Sequence, residues 1–400
     1  MSTRRDFLRQ VLAAAAPLAA LKRANGAQWY RFPQLQNVSE SGATILWASS
    51  TPGEGQVEYV SDSGSSGAAA ASVRELTPDE TDLEHSIYLY KATVEALAPG
   101  ARHSYHVCAN GQKLTPDCGF SLRTPGGAPF KFVAFGDSGM GTTEQWRIAE
   151  LMAREEAALA LHLGDIAYPV ASFREFQYRH FDVYGEWLAR VPLFPCPGNH
   201  EYYTRDGFPY FALHTAPASG RPETEPGRYY SFDWGTVHFV ALDSNRPLER
   251  AAAGKGPMLE WLDKDLAATK KPWKVVYFHH PPFAAGPNEQ DPLSILARRS
   301  IVPILEKHRV QLVLNGHEHS YQRSYPVRAQ ERAAAGEAPL YLTSGGGGAF
   351  LYAVHASPLV EFGRSTHHYL RVEVERERMV ASAIDSTGEM IDRVEVLPGR

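Results

Sequence analysis

The sequence predicts an α/β chain with an all-β segment ahead of it, on three observations. Between residues 28 and about 125, short runs of alternating polarity are separated by Gly, Pro and Ser clusters, the pattern of half-buried strands. From residue 126 onward, the runs FKFVAF (130–135), LALHL (159–163), LFPCP (193–197), WKVVYF (273–278) and VQLVL (310–314) are apolar, rich in β-branched residues and too short for helices, so they read as buried strands. Stretches of helical period lie between them, which makes the sheet they form at least partly parallel.

The chain opens on Thr3-Arg4-Arg5-Asp6-Phe7-Leu8-Arg9 followed by an alanine and leucine run, and residues 1–27 resemble a twin-arginine export signal. The apolar part, Val11 to Leu21, is too short to span a bilayer, and no later stretch is long and apolar enough, so no membrane span is expected in the mature form. The expectation is an exported protein, periplasmic or secreted from a bacterium, with the twin-arginine machinery as its export partner.

Residues 28–125 form the all-β segment, with strands expected at 43–49, 56–60, 88–97 and 103–109. Trp47 belongs in its core. The Ser, Gly and Ala run from Ser61 to Ser72 reads as a flexible surface loop, and 124–129 as a linker. With three cysteines in 400 residues no disulfide framework holds the fold. Cys108 and Cys118, near the last hairpin of this segment, are candidates to pair after export, whereas Cys196 is expected to pack beneath a loop.

Residues 126–400 carry the alternating part. Helices are expected at 143–157, 173–189 and 257–268; in the last, Leu259, Leu262 and Leu266 share a face and Glu260 and Lys264 support the outside. The late segments 368–374, 378–384 and 391–396 read as antiparallel strands.

Chemistry enters where the buried runs end. Five motifs follow them: GDSG (136–139), GDIAY (164–168), GNHE (198–201), VYFH (276–279) and GHEH (316–319). They carry Asp137, Asp165, Tyr168, Asn199, His279, His317 and His319, all oxygen or nitrogen donors at the carboxyl ends of strands, where α/β sheets build their clefts. Singly, a Gly-Asp pair is a turn and a His-His-Pro-Pro run a packed loop. Together they supply what two cations about 3.5–4 Å apart require: one bridging carboxylate and enough further donors, with positions left for water and phosphate. Asp165 is the candidate bridge. The mixed oxygen and imidazole set suits Fe, Zn or Mn rather than a thiolate metal, and a phenolate suits a trivalent ion.

These motifs, in this order and spacing, resemble the metallophosphoesterase superfamily and within it the purple acid phosphatases. Most of the superfamily carries a histidine two residues after the first aspartate; here Ser138 and Gly139 follow Asp137, and Tyr168 supplies the missing donor as in the purple enzymes. His319-Ser320-Tyr321-Gln322-Arg323, the GGGG run at 345–348 and the DSTGEMIDRVEV ending are similar to the plant forms. The resemblance implies a four-layer αββα metallophosphatase sandwich preceded by a fibronectin type III-like β-sandwich, in which the stretch from Leu97 to Gly100 with Tyr105 is similar to a tyrosine corner. It places Asp137, Asp165, Tyr168 and His319 on Fe(III), and Asp165, Asn199, His279 and His317 on a second ion, Fe, Zn or Mn. His279 rather than His280 takes the VxxH position. His200 matches a histidine that contacts substrate phosphate and protonates the leaving oxygen, and Tyr321 and Arg323 are candidate substrate contacts. The implied activity is hydrolysis of small phosphate monoesters by a metal-bound hydroxide. A phosphodiesterase or nucleotide hydrolase using the same centre is the nearest alternative, and an exported binding protein with an inactive site the distant one.

Charge narrows the partners. The chain has a formal net charge of −5; without residues 1–27, which hold five basic side chains and one acidic, it is −9. A surface of that sign is not built to hold nucleic acid. The GGGG run lacks the Lys and Ser or Thr of a P-loop and reads as a tight turn near the cleft. Tyr202, Tyr203, Phe208, Tyr210 and Phe211 follow GNHE and either line a cleft or form the small core of their own loop.

Overall fold

A computed structural model describes residues 29–123, 126–219, 227–250 and 255–399. The export signal expected at 1–27 and the Thr124-Pro125 start of the expected linker lie outside the described residues.

The N-terminal part is two facing sheets. One orders its strands as Trp29–Gln36, Ala43–Ser49, Ile87–Val94 and Ser72–Leu76; the other as Ser66–Ala70, Gly55–Ser61, Arg102–Ala109 and Gln112–Lys113, with Cys118–Ser121 also paired to Arg102–Ala109. Strand alternation sends Trp47, Tyr90, Val57, Tyr105 and Val107 inward, and Trp47 stacks on Tyr90 at 5.2 Å across the pair in which they are register partners. This is a β-sandwich.

Three expectations here need correction. The run Ser61–Ser72 is not a loose loop: Ser66–Ala70 pairs with Gly55–Ser61 from Gln56↔Ala70 to Val60↔Ser66, because edge pairing uses backbone groups and asks little of the side chains. Cys108 and Cys118 are free. Cys118 lies opposite Tyr105, three residues from Cys108; that odd offset puts the two side chains on opposite faces and their Cα atoms about 10 Å apart, too far to bridge. The Tyr105 hydroxyl does not close a corner on its own sandwich but donates to the Ala189 carbonyl of the larger C-terminal part, at 2.9 Å.

From Phe130 the chain builds two larger sheets. The first orders as Leu193–Pro195, Leu159–His162, Phe130–Phe135, His368–Val374, Met379–Asp385 and Met390–Val396, parallel through its first three strands and antiparallel beyond. The second orders as Tyr230–Trp234, Val237–Ala241, Trp273–Tyr277, Leu312–Asn315, Leu340–Ser344, Tyr321–Ser324 and Val360–Arg364. Their inner faces share one core in which Phe132, Ala134, Leu161, Leu370 and Val372 meet Phe239, Val275, Tyr277, Leu312 and Leu314. The outward residues of the same strands each bury a helical layer. Val133 and Phe135 pack with Ile148, Met152, Phe176 and Leu188; Val240, Val276 and Val313 pack with Leu259, Leu262, Leu266 and Leu305. Strands buried on both faces explain why their sequences are continuously apolar. The architecture is therefore helix, sheet, sheet, helix.

Pro257–Ala268 is a helix over the expected range, while the helix from Thr143 stops at Ala153. The next strand sets its end: the Ala158 amide must reach the Lys131 carbonyl to start that strand, and Glu155 is held by Lys131 and Tyr369. The stretch expected as one helix from Phe173 runs Phe173–Phe176 and Asp182–Leu188 with a π turn, Gln177–Phe181, between them. That turn meets the sandwich: Arg31, buried, bonds Gln177 Oε1 at 3.1 Å and lies 3.9 Å over the Phe181 ring. Burial lowers its pKa to about 10, which leaves it charged.

Candidate metal centre

The strands Phe130–Phe135, Leu159–His162, Leu193–Pro195, Trp273–Tyr277 and Leu312–Asn315 all discharge their loops at one edge of the two sheets. Those loops are tied backbone to backbone. The Asp137 amide donates to the Gly164 carbonyl (3.0 Å), the Gly136 amide to Ser344 (2.9 Å) and the Gly316 amide to His279 (3.0 Å). Asp137, Asp165 and His317 hold φ values of +57°, +55° and +69°, a left-handed backbone that costs energy for residues with a Cβ and aims their side chains inward.

Two groups of donors meet there. In the first, the Tyr168 hydroxyl lies 3.0 Å from Asp137 Oδ1, 3.0 Å from Asp165 Oδ2 and 3.0 Å from His319 Nε2. His319 Nδ1 faces the Phe350 carbonyl at 2.7 Å, which leaves Nε2 for the cluster. In the second, His279 Nε2 lies 3.1 Å from Asn199 Oδ1 and 3.4 Å from Asp165 Oδ2, and its Nδ1 faces the Leu163 carbonyl at 2.8 Å. The His317 ring sits 5.0 Å from that of His279. Asp165 Oδ2 is thus common to both groups. All seven donors read from the five motifs are gathered here, with His200 beside them: its amide bonds Asp165 Oδ1 at 3.0 Å, its Nδ1 faces the Pro169 carbonyl and its Nε2 is 3.8 Å from Asp165 Oδ2.

The electrostatics of this group ask for positive charge. Burial, then the carboxylates of Asp137 and Asp165, push the Tyr168 phenol well above its ordinary pKa. Burial disfavours the His279 cation, yet Asp165 and Asp137 outweigh it and lift His279 to about 10. His317 Nε2 is buried, makes no hydrogen bond within normal distance and lies 3.8 Å from Asp291 Oδ2. Buried carboxylates crowding a phenol are costly as they stand and are relieved by cations, so with the Asn199 amide and three imidazoles beside them the donor set fits metal ions.

Gly139 explains why a tyrosine supplies a donor here. A Cβ at Gly139 would overlap the Ile166 carbonyl, so no side chain fits at that position, and its own carbonyl accepts from the Tyr168 amide at 2.9 Å. The GGGG run packs rather than binds: a Cβ at Gly347 would overlap the Gly136 carbonyl, to which the Gly347 amide donates at 2.9 Å.

Tyr321 and Arg323 are not brought into this cluster. Tyr321 is buried with its hydroxyl on Asp392 (2.8 Å); Arg323 bonds the same carboxylate at 2.7 Å and also Glu361. Their polar atoms are committed to those acids, which corrects the substrate-contact expectation. The aromatic loop divides. Tyr210 joins the core with Phe208 and Phe211 against it, Tyr202 bonds Asp243 and Arg228, and Tyr203, 60% exposed, reaches Asn199 Nδ2 and sets its ring on His200.

The sequence reading missed one residue here and set a second aside. Glu201, fully buried, accepts from the amides of Asp165 (2.8 Å), Ile166 (2.8 Å) and Gly198 (2.7 Å), fastening the second motif to the third; burial, then Asp165, push its pKa up to about 7. The signal was its place in GNHE. His280, buried, bonds Ser244 through Nδ1 at 2.8 Å and sits 4.5 Å from the His317 ring, so it borders the second group although it is His279 that touches Asp165 and Asn199.

Comparison with known proteins bears on the whole arrangement. Residues 130–321 match the calcineurin-like phosphoesterase family model. The phosphoesterase match begins on the first central strand and ends just past His319, enclosing all seven donors and His200. The chain is similar to purple acid phosphatase 21 of Arabidopsis thaliana, 27% identical over 308 residues (72% of this chain, 65% of that protein), and to acid phosphatase type 7 of Mus musculus, 25% identical over 317 residues (73% and 70%). It spans 62% of purple acid phosphatase 23 and about half, 46%, of purple acid phosphatase 15, both from Arabidopsis. In fold it is similar to the purple acid phosphatase PPD1 of yellow lupin (TM-score 0.80, 17% identity, 92% of this chain and 74% of that one) and to PhoD (TM-score 0.65, 14% identity, 94% and 95%). Among the described residues no helix is long and apolar enough to cross a membrane.

Proposed function

We propose that this chain is a two-metal phosphomonoesterase of the purple acid phosphatase kind. The observation that carries the reading is Asp165 Oδ2, 3.0 Å from the Tyr168 hydroxyl on one side and 3.4 Å from His279 Nε2 on the other. One carboxylate oxygen between two donor sets is what a bridged pair of cations needs. Asp137, Asp165, Tyr168 and His319 would hold Fe(III); Asp165, Asn199, His279 and His317 would hold Fe, Zn or Mn. When bound, such a pair neutralises phosphate charge and acidifies a water at low pH.

The protein's part is orientation. With Nδ1 turned to the Pro169 carbonyl, His200 keeps Nε2 on the cleft side, where its protonated form can donate to the departing ester oxygen. The exposed Tyr203 ring against His200 forms a wall for the leaving group. Residues 28–125 are assigned as a fibronectin type III-like sandwich, 126–400 as the catalytic domain and 1–27 as a twin-arginine signal delivering the protein to the periplasm or beyond. Replacing Arg4 and Arg5 together by lysine should then hold the protein in the cytoplasm, read by fractionation.

The deciding experiment compares turnover of p-nitrophenyl phosphate and bis(p-nitrophenyl) phosphate across pH by protein loaded with iron and zinc. Faster monoester hydrolysis with an acid optimum is expected. Preference for the diester would favour a phosphodiesterase or nucleotide hydrolase, and inertness on both would return the binding-protein reading.

A further inference from the structure

The outer face of the N-terminal sandwich carries a second group of metal-type donors, remote in sequence from the five motifs. Glu58 on Gly55–Ser61 and His106 on Arg102–Ala109 are direct register partners, and Cys108 lies two residues beyond His106 on the same face. One ligand atom from each lies within 4.8 Å of the others, and Glu58 Oε2 is 3.2 Å from His106 Nε2. That separation is close to a tetrahedron edge for ligands about 2.0–2.1 Å from a central ion. Each head group is already oriented from behind: Gln56 Nε2 holds Glu58 Oε1 at 2.7 Å, and Asp117 Oδ1 holds His106 Nδ1 at 2.9 Å while itself held by Lys113 Nζ at 2.6 Å.

We propose that Glu58, His106 and Cys108 form a separate binding site for one divalent transition ion of the zinc class. The carboxylate behind the imidazole fixes the tautomer that presents Nε2, the arrangement that supports metal-bound histidines generally. A thiolate, an imidazole and a carboxylate together suit Zn(II) and its relatives, not Ca(II) or Mg(II). Cys108 is buried while His106 and Glu58 keep 20% and 45% of their side chains exposed, so an ion enters from solvent and leaves a fourth position for water. Burial, and then the Glu58 carboxylate, raise the thiol's pKa, so the ion displaces a proton from sulfur on binding.

The site differs from the cleft in one spectroscopic respect: it alone offers sulfur. Full-length protein freed of bound metal by chelation is titrated with Co(II), which the cleft takes up through oxygen and nitrogen donors only. Expected are one equivalent bound beyond those in the cleft and a near-ultraviolet sulfur-to-cobalt charge-transfer band, both lost in Cys108→Ser, with phosphoester turnover unchanged. Glu58→Gln, on a partly exposed side chain and therefore safe for folding, should keep the protein folded and weaken Co(II) binding roughly tenfold or more. Absence of the band in folded wild-type protein, its survival in Cys108→Ser, or unaltered affinity in Glu58→Gln would each overturn the assignment.

Discussion

Tyr168 and Asn199 separate the two proposed ions from one another. Tyr168 meets only the first group, through Asp137, Asp165 and His319, and is buried by its own loop. Tyr168→Phe removes one oxygen and no packing, so the iron-loaded variant should stay folded and lose its visible phenolate-to-iron band; an unchanged spectrum would remove tyrosine from the ligand set. Asn199 meets His279 on the other side. Asn199→Ala should lower the content of the second metal while iron is retained, and equal loss of both on metal analysis would contradict the division. At this scale the sequence was highly readable for the seven donors, since each ends an apolar strand within a short motif. It misread Tyr321 and Arg323 as substrate contacts, because no local pattern announces that Asp392, about 70 positions away, claims both side chains.

Elements are joined by polar pairs that sequence does not advertise. His238, in the strand Val237–Ala241, bonds Asp233 Oδ1 of the neighbouring strand at 2.7 Å and Asp265 Oδ2 of the helix Pro257–Ala268 at 2.9 Å. Burial disfavours its cation, but the bonds to Asp233 and Asp265 outweigh burial and raise the pKa to about 9. A folded pKa above the unfolded value of about 6.5 gives stability that is fully present below pH 6.5 and fades as pH rises through 9. With Asp233 half exposed, roughly 1–2 kcal/mol is at stake. Denaturant melts of His238→Gln should therefore fall below wild type most at pH 6 and approach it near pH 10. Element positions were legible where periodicity was strong, as in Pro257–Ala268 and Phe130–Phe135. They were misread in Ser66–Ala70, where small side chains conceal a strand whose pairing is purely backbone.

The molecule is stitched across the seam between its sandwich and the larger layers by a few buried contacts. Tyr105 gives its hydroxyl to the Ala189 carbonyl, and Arg31 reaches Gln177 and Phe181. Tyr105→Phe leaves that buried carbonyl without its partner and should cost about 1–2 kcal/mol. If both parts unfold together, calorimetry will show one transition moved down; two transitions, with only the sandwich shifted, would show that the seam does not couple them. The layered arrangement was foreshadowed by the strand and helix alternation, whereas the seam was not, since Tyr105 looked like a residue serving its own sandwich.

The left-handed turns at Asp137, Asp165 and His317, cross-bonded to one another's loops, mean that the polypeptide's own hydrogen bonds brace the receptacle independently of any bond to an ion. Chelation should accordingly empty it without melting it. Refilling then needs only diffusion and loss of protons, not a search through backbone conformations, and an enzyme stripped of its ions should regain them on simple dialysis.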